Sequence, residues 1–126
     1  MPCSSGFGAV RRLHHPEEFS AVFSSRMVMR GLNFVLHYLP LEAESPVRLG
    51  LVIPKRLAKK AVLRNAIKRQ GREAFRLMAA ELPSCDFVLR LSRPQSGEKA
   101  KLSQRGIWRA EIDDLLLRLA KERGLT

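Results

Sequence analysis

The segment 61–82 constrains the fold of this chain more than any other part of the sequence. On a helical wheel with Arg64 at zero and about 100° per residue, its apolar side chains fall between about 200° and 320°, and its cationic side chains between about 0° and 140°. The apolar set is Leu63, Ala66, Ile67, Ala74, Leu77 and Met78, and the cationic set is Arg64, Lys68, Arg69, Arg72 and Arg76. The pattern predicts a long amphipathic helix that ends before Pro83.

Shorter elements are predicted on either side of this helix. Strand-forming residues fill four segments, and helical spacing of apolar residues occurs near both ends of the chain. In chain order we expect a helix over 16–25, a brief strand over 27–30, strands over 32–39 and 47–53, the long helix, a strand over 85–91 and a helix over 102–123. The stripe that the last helix is expected to bury is Ile107, Trp108, Ile112, Leu115, Leu116 and Leu119.

This order of elements predicts an α/β (α+β) sandwich in which helices cover one small sheet. A chain of 126 residues most simply forms one domain. We expect that domain to span 16–123, and residues 1–15 to form a flexible N-terminal segment.

The positive charge is concentrated in one part of the chain. The net charge is +11, with a pI near 10.8, above the value of about 9 that is typical of nucleic-acid binders. Between Arg48 and Arg76 the sequence has ten basic residues and one acidic residue, Glu73. The total charge alone leaves a nucleic acid, an anionic membrane or an acidic protein open as the partner. A solvated helix face usually mixes both signs, so this distribution favours a polyanion, which a helix N-terminus surrounded by Lys and Arg is suited to bind.

The sequence features that bear on subcellular location are weak, but they agree with one another. No apolar run approaches the roughly 18 residues of a membrane span, and the N-terminus lacks the pattern of a secretory signal. Cys3 and Cys85 lie far apart in the sequence, and two reduced thiols rather than a disulfide fit a reducing cytosol. We therefore expect a cytoplasmic protein without disulfides.

Lys55–Arg56 follow a predicted strand, Arg64–Asn65 and Lys68–Arg69 lie on the long helix, and Phe19 and Phe23 lie in the first helix. In this order, these residues resemble the protein component of bacterial ribonuclease P. The resemblance extends over roughly 12–119. One position departs from the family's pattern, since Ala66 stands where the family usually has a second arginine, and no role is assigned to it.

The resemblance implies a subunit that binds a large catalytic RNA and the 5′ leader of precursor tRNA, and so promotes removal of the leader. It also implies the order α-β-β-β-α-β-α, a left-handed βαβ crossover around the basic helix, and Mg²⁺ chemistry in the RNA. The protein itself is then expected to hold no cofactor, no metal and no catalytic residue. The implied RNA-binding residues are Lys55, Arg56, Lys59, Lys60, Arg64, Asn65, Lys68, Arg69 and Arg72, and the implied leader-binding residues are Phe19, Phe23 and Phe34.

Several roles stay open at the level of sequence. Helical spacing alone favours a core position for Phe19 and Phe23, whereas the resemblance favours partial exposure at a cleft. Asn65 can hydrogen-bond a sugar, a base edge or its own loop. Phe34 and His37 are weaker cleft candidates of the same kind as Phe19 and Phe23.

Two rival functions are a structural ribosomal or rRNA-binding protein and a free-standing nuclease. A nuclease that uses two metal ions needs clustered carboxylates. The nearest such group, Glu111, Asp113 and Asp114, is remote in sequence from the basic segment, and we interpret it as a solvated helix face. No catalytic Ser/His/Asp or Cys/His arrangement and no phosphate-binding glycine loop occurs, so the chain is interpreted as a binding subunit.

Overall fold

The computed structural model describes residues 10–124, which form a five-stranded mixed sheet with helices on both of its faces. The strands are β1 (Arg11–Arg12), β2 (Val28–Arg30), β3 (Phe34–Pro40), β4 (Arg48–Val52) and β5 (Cys85–Leu91). The helices are α1 (Pro16–Ser24), α2 (Ala61–Met78) and α3 (Arg105–Leu119). Short 3₁₀ turns over Ala79–Glu81, Gly97–Ala100 and Leu102–Gln104 and a π turn over Ala120–Gly124 adjoin α2 and α3. The predicted α/β class is confirmed.

The sheet has the strand order β1-β4-β5-β3-β2. Strands β4 and β5 are parallel neighbours joined through α2, so the predicted βαβ unit is present. Strand β3 pairs antiparallel with β5 from Phe34↔Leu91 to Pro40↔Cys85, and β2 pairs antiparallel with β3. The left hand of the crossover stays an expectation from the family resemblance.

The structured part of the chain begins before the expected boundary at residue 16. Arg11 and Arg12 pair in parallel with Arg48 and Leu49 as β1, and Leu13 is 6% exposed. The expected flexible segment 1–15 therefore does not extend to its predicted end. Residues 1–9 lie outside the described residues.

Alternation along the strands divides the side chains between two layers. One face of the sheet packs against α2 and α3 in the main core, which includes Phe34, Phe75, Phe87 and Trp108. The other face packs against α1 in a smaller cluster of Leu13, Val22 and Val88, with Phe19, Leu39 and Val52 at its margin. Within residues 10–124, α1 is the helix that packs on this second face.

The last helix buries most of its predicted stripe but not all of it. Trp108, Ile112, Leu115, Leu116 and Leu119 are at most 1% exposed, whereas Ile107 is 55% exposed. Ile107 lies about 100° from Trp108 on the wheel and so falls outside the buried arc. Among residues 10–124, no helix is both long enough and apolar enough to cross a bilayer.

Glu111 of α3 fastens the β2–β3 hairpin to the helical layer, so the interpretation of this residue as part of a solvated face is wrong. One of its carboxylate oxygens accepts hydrogen bonds from the backbone N–H groups of Asn33 (2.7 Å) and Phe34 (2.8 Å). The other accepts one from Nδ2 of Asn33 (3.1 Å). A Cβ at Gly31 would collide with this carboxylate, so a side chain there would force Glu111 to shift away from these hydrogen bonds.

Replacement Glu111→Ala is expected to destabilise the protein because it leaves these N–H groups without a partner. The cost should be about 1–3 kcal/mol in the free energy of unfolding, measured in urea. Asp114→Ala on the same helix is the matched control, since the side chain of Asp114 is 68% exposed and pairs with exposed Arg118. Its cost should stay below about 0.5 kcal/mol. Equal losses in the two variants would contradict the anchoring role.

Candidate nucleic-acid interface

The basic loop between β4 and α2 is anchored by its apolar residues. The carbonyl of Pro54 accepts the backbone N–H groups of Leu57 and Ala58, both at 3.0 Å. Leu57 and Ala58 are buried, at 8% and 0% exposure. This anchoring leaves the charged side chains of the loop outside, and all four are exposed: Lys55, Arg56, Lys59 and Lys60.

Arg64 fixes the end of this loop to the first turns of α2. Its guanidinium Nη1 donates to the carbonyl oxygens of Ala58 (2.9 Å) and Lys59 (2.8 Å). Arg64 is half-buried, so part of its role is to shape the basic loop. Asn65 is exposed, and no hydrogen bond of its side chain is found within the described part of the chain.

The buried face of α2 is rotated relative to the predicted one. The buried positions are Leu63, Ile67, Gly71, Ala74 and Phe75. They fall between about 260° and 20° on the wheel, which places Arg64 at the inner edge of the cationic face and leaves Leu77 outside, at 44% exposure. A Cβ at Gly71 would lie 3.0 Å from Leu51, so glycine lets the helix approach the sheet closely.

The remaining cations of α2 face away from the core. Arg69 and Arg72 are exposed and Lys68 is half-buried. No acidic residue lies in the first turn of the helix, and the residue at its N-cap, Lys60, makes no side-chain capping bond. Cations at a helix N-terminus oppose the macrodipole, so this end of α2 lacks the negative charge that would normally balance it.

A three-residue ion network holds α1 on the sheet. Arg48 donates from Nε and Nη2 to both carboxylate oxygens of Asp86, each at 2.7 Å, and from Nη1 to Glu18 of α1 at 2.9 Å. Asp86 is 3% exposed, and the forked contact satisfies its buried charge. Hydrogen bonding to Asp86 raises the pKa of Arg48 above its already high ordinary value.

A cavity of about 400 Å³ brings the two predicted groups of site residues together. Phe19 of α1 lines it together with Lys68 and Arg72 of α2. The ring of Phe19 lies directly over Gly50, where a Cβ would collide with it. The other polar residues of the lining, which the sequence did not single out as site residues, are Arg11, Arg12, His14 and Arg76.

The cations in this cavity are close enough to affect one another. Arg72 is exposed as a residue, yet partial desolvation of its guanidinium and the charge of Arg12 lower its pKa. Arg76 is partly neutralised because it pairs with Glu73. The cavity therefore concentrates positive charge beside one aromatic ring, which is the chemistry that favours a phosphate with an attached base.

Phe23 lies in a different environment from Phe19. It is 37% exposed, and its ring meets His37 of β3 edge to face, with 4.7 Å between ring centroids. Nε of Arg90 donates to Nε2 of His37 at 3.2 Å, so this imidazole acts as an acceptor and is neutral. Burial, followed by the charges of Arg90 and Arg30, lowers the pKa of His37 to about 4.

The prediction that Phe34 contributes to a leader-binding cleft is wrong. Phe34 is 0% exposed and belongs to the main core, on the sheet face that packs against α2 and α3. Its neighbour in the pleat, Val35, is on the face that carries α1. Strand-forming residues identify the strand, but the face of a single ring depends on the pairing register.

Comparison with known proteins settles the family. The sequence model of the ribonuclease P family matches residues 7–118 of this chain. The chain belongs to the ribonuclease P protein family. This confirms the resemblance drawn from the basic helix and the loop before it.

Three relatives, each named "Ribonuclease P protein component", illustrate the extent of the similarity. The one from Azoarcus sp. is 44% identical over 99 residues, covering 78% of this chain and 82% of the relative. The one from Bordetella parapertussis is 39% identical over 117 residues, covering 90% and 94%. The one from Burkholderia mallei is 38% identical over 126 residues, covering 97% and 91%.

Solved structures of the family share the fold. The ribonuclease P protein from Thermotoga maritima superposes with a TM-score of 0.67 at 24% identity, covering 86% of this chain and 96% of that one. The protein from Staphylococcus aureus gives 0.65 at 20% identity, covering 93% and 99%. Within residues 10–124 of this family member, no group of three or more His, Cys, Asp or Glu side chains is placed to hold a metal ion.

The network of Glu18, Arg48 and Asp86 predicts how the stability of the protein depends on pH. Hydrogen bonds from the backbone N–H groups of His15 and His14, together with Arg48, lower the pKa of Glu18 from 4.5 to about 2. Because this pKa is lower in the folded state than in the unfolded state, the carboxylate stabilises the fold fully above pH 4.5, and the stabilisation is lost as the pH falls toward 2. Glu18→Gln should therefore lower Tm at neutral pH.

The difference in Tm between the wild type and Glu18→Gln should shrink steadily across that acidic range. Thermal unfolding followed by circular dichroism at a series of pH values measures it. The matched control is Glu17→Gln, which removes a neighbouring exposed carboxylate that makes none of these contacts. A pH-independent difference for Glu18→Gln would show that the carboxylate's charge does not hold α1.

Proposed function

We propose that this chain is the protein subunit of a ribonuclease P ribonucleoprotein, which binds the catalytic RNA and the 5′ leader of precursor tRNA. The observation that carries the proposal is the cavity in which Phe19 of α1 meets Lys68 and Arg72 of α2. One wall offers a surface for a base, and the other offers charge for a phosphate. The family and the similarity to proteins named as ribonuclease P components support it.

We assign the basic loop before α2 and the outer face of α2 to binding of the catalytic RNA. The residues of this surface are Lys55, Arg56, Lys59, Lys60, Arg64, Asn65, Lys68, Arg69 and Arg72, and two of them, Lys68 and Arg72, also border the cavity that contains Phe19. Lysines provide point charges for phosphates and arginines forked contacts, whereas Arg64 also holds the loop in shape. Contacts of this kind position an RNA without reading its sequence.

We assign the sheet face that carries α1 to binding of the leader of precursor tRNA. Phe19 and Phe23 are both accessible in part, and stacking on aromatic rings tolerates every base. Such tolerance suits a set of substrates whose leaders differ in sequence. The protein then contributes by screening phosphate repulsion and by positioning the substrate.

Hydrolysis of the phosphodiester bond is assigned to the RNA together with Mg²⁺, and the protein contributes no catalytic group. The particle works in the cytoplasm, where precursor tRNA is made. The alternative of a structural ribosomal protein is not favoured, because the similar curated proteins carry the ribonuclease P name.

Reconstitution tests the proposal directly. Precursor tRNA is incubated at low Mg²⁺ with this protein alone, with bacterial ribonuclease P RNA alone, and with both. We expect cleavage only or mainly in the combined reaction, because screening by the protein lowers the Mg²⁺ that the RNA needs. Unchanged activity of the RNA on addition of protein would refute the proposal, and cleavage by protein alone would support a free-standing nuclease.

Replacement Phe19→Ala should weaken binding of leader-bearing precursor more than binding of mature tRNA by the reconstituted particle. One lost stacking contact is worth about 1–3 kcal/mol, and filter binding of both ligands measures the ratio of their Kd values. Phe34→Leu is the control: it alters a fully buried ring, so it should lower stability without changing that ratio. An equal loss for both ligands with Phe19→Ala would indicate a core role.

A further inference from the structure

A second groove lies between the basic loop and the segment that leads from β5 to α3. Its volume is about 650 Å³. Arg56, Lys59 and Lys60 line one side, and Pro94, Ala100 and Lys101 line the other. The second side comes from a part of the sequence that lies outside the basic segment 48–76.

The position of this second side is fixed by a buried residue. The backbone N–H of Gln95 donates to the carbonyl of Leu57 in the basic loop at 2.7 Å. Oε1 of Gln95 accepts the indole N–H of Trp108 at 3.1 Å, and Nε2 donates to Oδ1 of Asn33 at 3.3 Å. Gln95 is 4% exposed, so these bonds connect the groove to the core and hold its two sides together.

The charges around the groove have one sign. Four of the lining residues are cationic, and none is acidic. Lys101 has an acidic partner outside the lining, Glu98, whose carboxylate lies 2.9 Å from its Nζ. This ion pair is exposed, with 58% and 80% of the two side chains accessible, and exposed pairs contribute little to stability. Lys101 can therefore exchange Glu98 for a phosphate.

We propose that the sugar–phosphate backbone of the catalytic RNA lies in this second groove, with Lys101 contacting a phosphate opposite Lys59 and Lys60. The proposal rests on the proposed function and extends its RNA-binding surface to the segment between β5 and α3, which lies outside the basic segment 48–76. Four cations around an open groove match successive phosphates better than one small anion. The apolar lining of Leu57, Pro94 and Ala100 suits the sugar edge of such a strand.

The first test compares two lysines by the salt dependence of RNA binding. Lys101→Ala should raise the Kd for ribonuclease P RNA and reduce the slope of log K against log salt by roughly 0.7–0.9, the value of one lost phosphate contact. Lys121→Ala removes the same charge from an exposed site beyond the far end of α3. That helix is about 22 Å long, well beyond the screening length of about 8–10 Å, so this control should leave the slope unchanged.

The second test looks for tighter binding, which partial unfolding cannot mimic. Glu98→Gln frees Lys101 and removes a carboxylate from the path of the RNA, so it should lower the Kd several-fold. Glu122→Gln changes the net charge equally at the far end of α3, where it is exposed, and should have little effect. Equal changes in Kd for these two variants would overturn the proposal, because the affinity would then depend only on the net charge of the protein.

Lys68→Ala separates this proposal from the proposed function. If Lys68→Ala reduces the salt slope while Lys101→Ala does not, the second groove is not occupied by RNA, and the α2 surface still is. If neither variant changes the slope, both assignments fail. Reduction of the slope by both variants, with no change in Lys121→Ala, supports the groove as part of the interface.

Discussion

The packing of α2 against the sheet holds together a row of positive charges that would not otherwise stay aligned. Arg64, Lys68, Arg72 and Arg76 follow one another at spacings of four residues, and each like-charge pair costs about 0.2–0.5 kcal/mol. Burial of Leu63, Ile67 and Phe75, at no more than 2% exposure, contributes about 1.5–3 kcal/mol for each side chain. The apolar face therefore outweighs the repulsion. The cationic face is left without enough charge of opposite sign, which a bound polyanion would supply.

Helix α1 gives this charged surface its second component. The network of Glu18, Arg48 and Asp86 sets where α1 crosses the sheet, and Gly50 lets the ring of Phe19 lie directly on β4. As a result, an aromatic ring from one end of the chain shares a cavity with Lys68 and Arg72 of α2. A change in the ion network thus acts on the site through the placement of α1.

Features that depend on local sequence were predictable. Strand β5 covers Cys85–Leu91 as expected, because a run of strand formers follows Pro83. Helix α2 begins at Ala61 as expected, and its apolar and cationic faces exist, because a periodicity of 3.6 residues determines both. The charged side chains of the basic loop are exposed because Ile53, Leu57 and Ala58 supply its buried contacts.

Features that depend on pairing between distant segments were not predictable. Strand β1 consists of two arginines and exists because β4 offers it an edge. The burial of Phe34 follows from the register of β3 against β5, and the role of Glu111 follows from its approach to the β2–β3 hairpin. The rotation of the buried face of α2 has a similar origin, since Gly71 and Phe75 pack against the sheet and so place Arg64 at the edge of the core. Arg11, Arg12 and His14 line the cavity beside Phe19. The sequence did not identify them as site residues, because their position depends on the pairing of β1 with β4.

Lysine labelling of the free protein and of its complex with ribonuclease P RNA tests the central claim most directly. Acetylation followed by mass spectrometry reports the reactivity of each lysine. The account predicts that Lys55, Lys59, Lys60 and Lys68 lose reactivity in the complex, while Lys121 keeps it. Equal reactivity of all five lysines in the two states would contradict it.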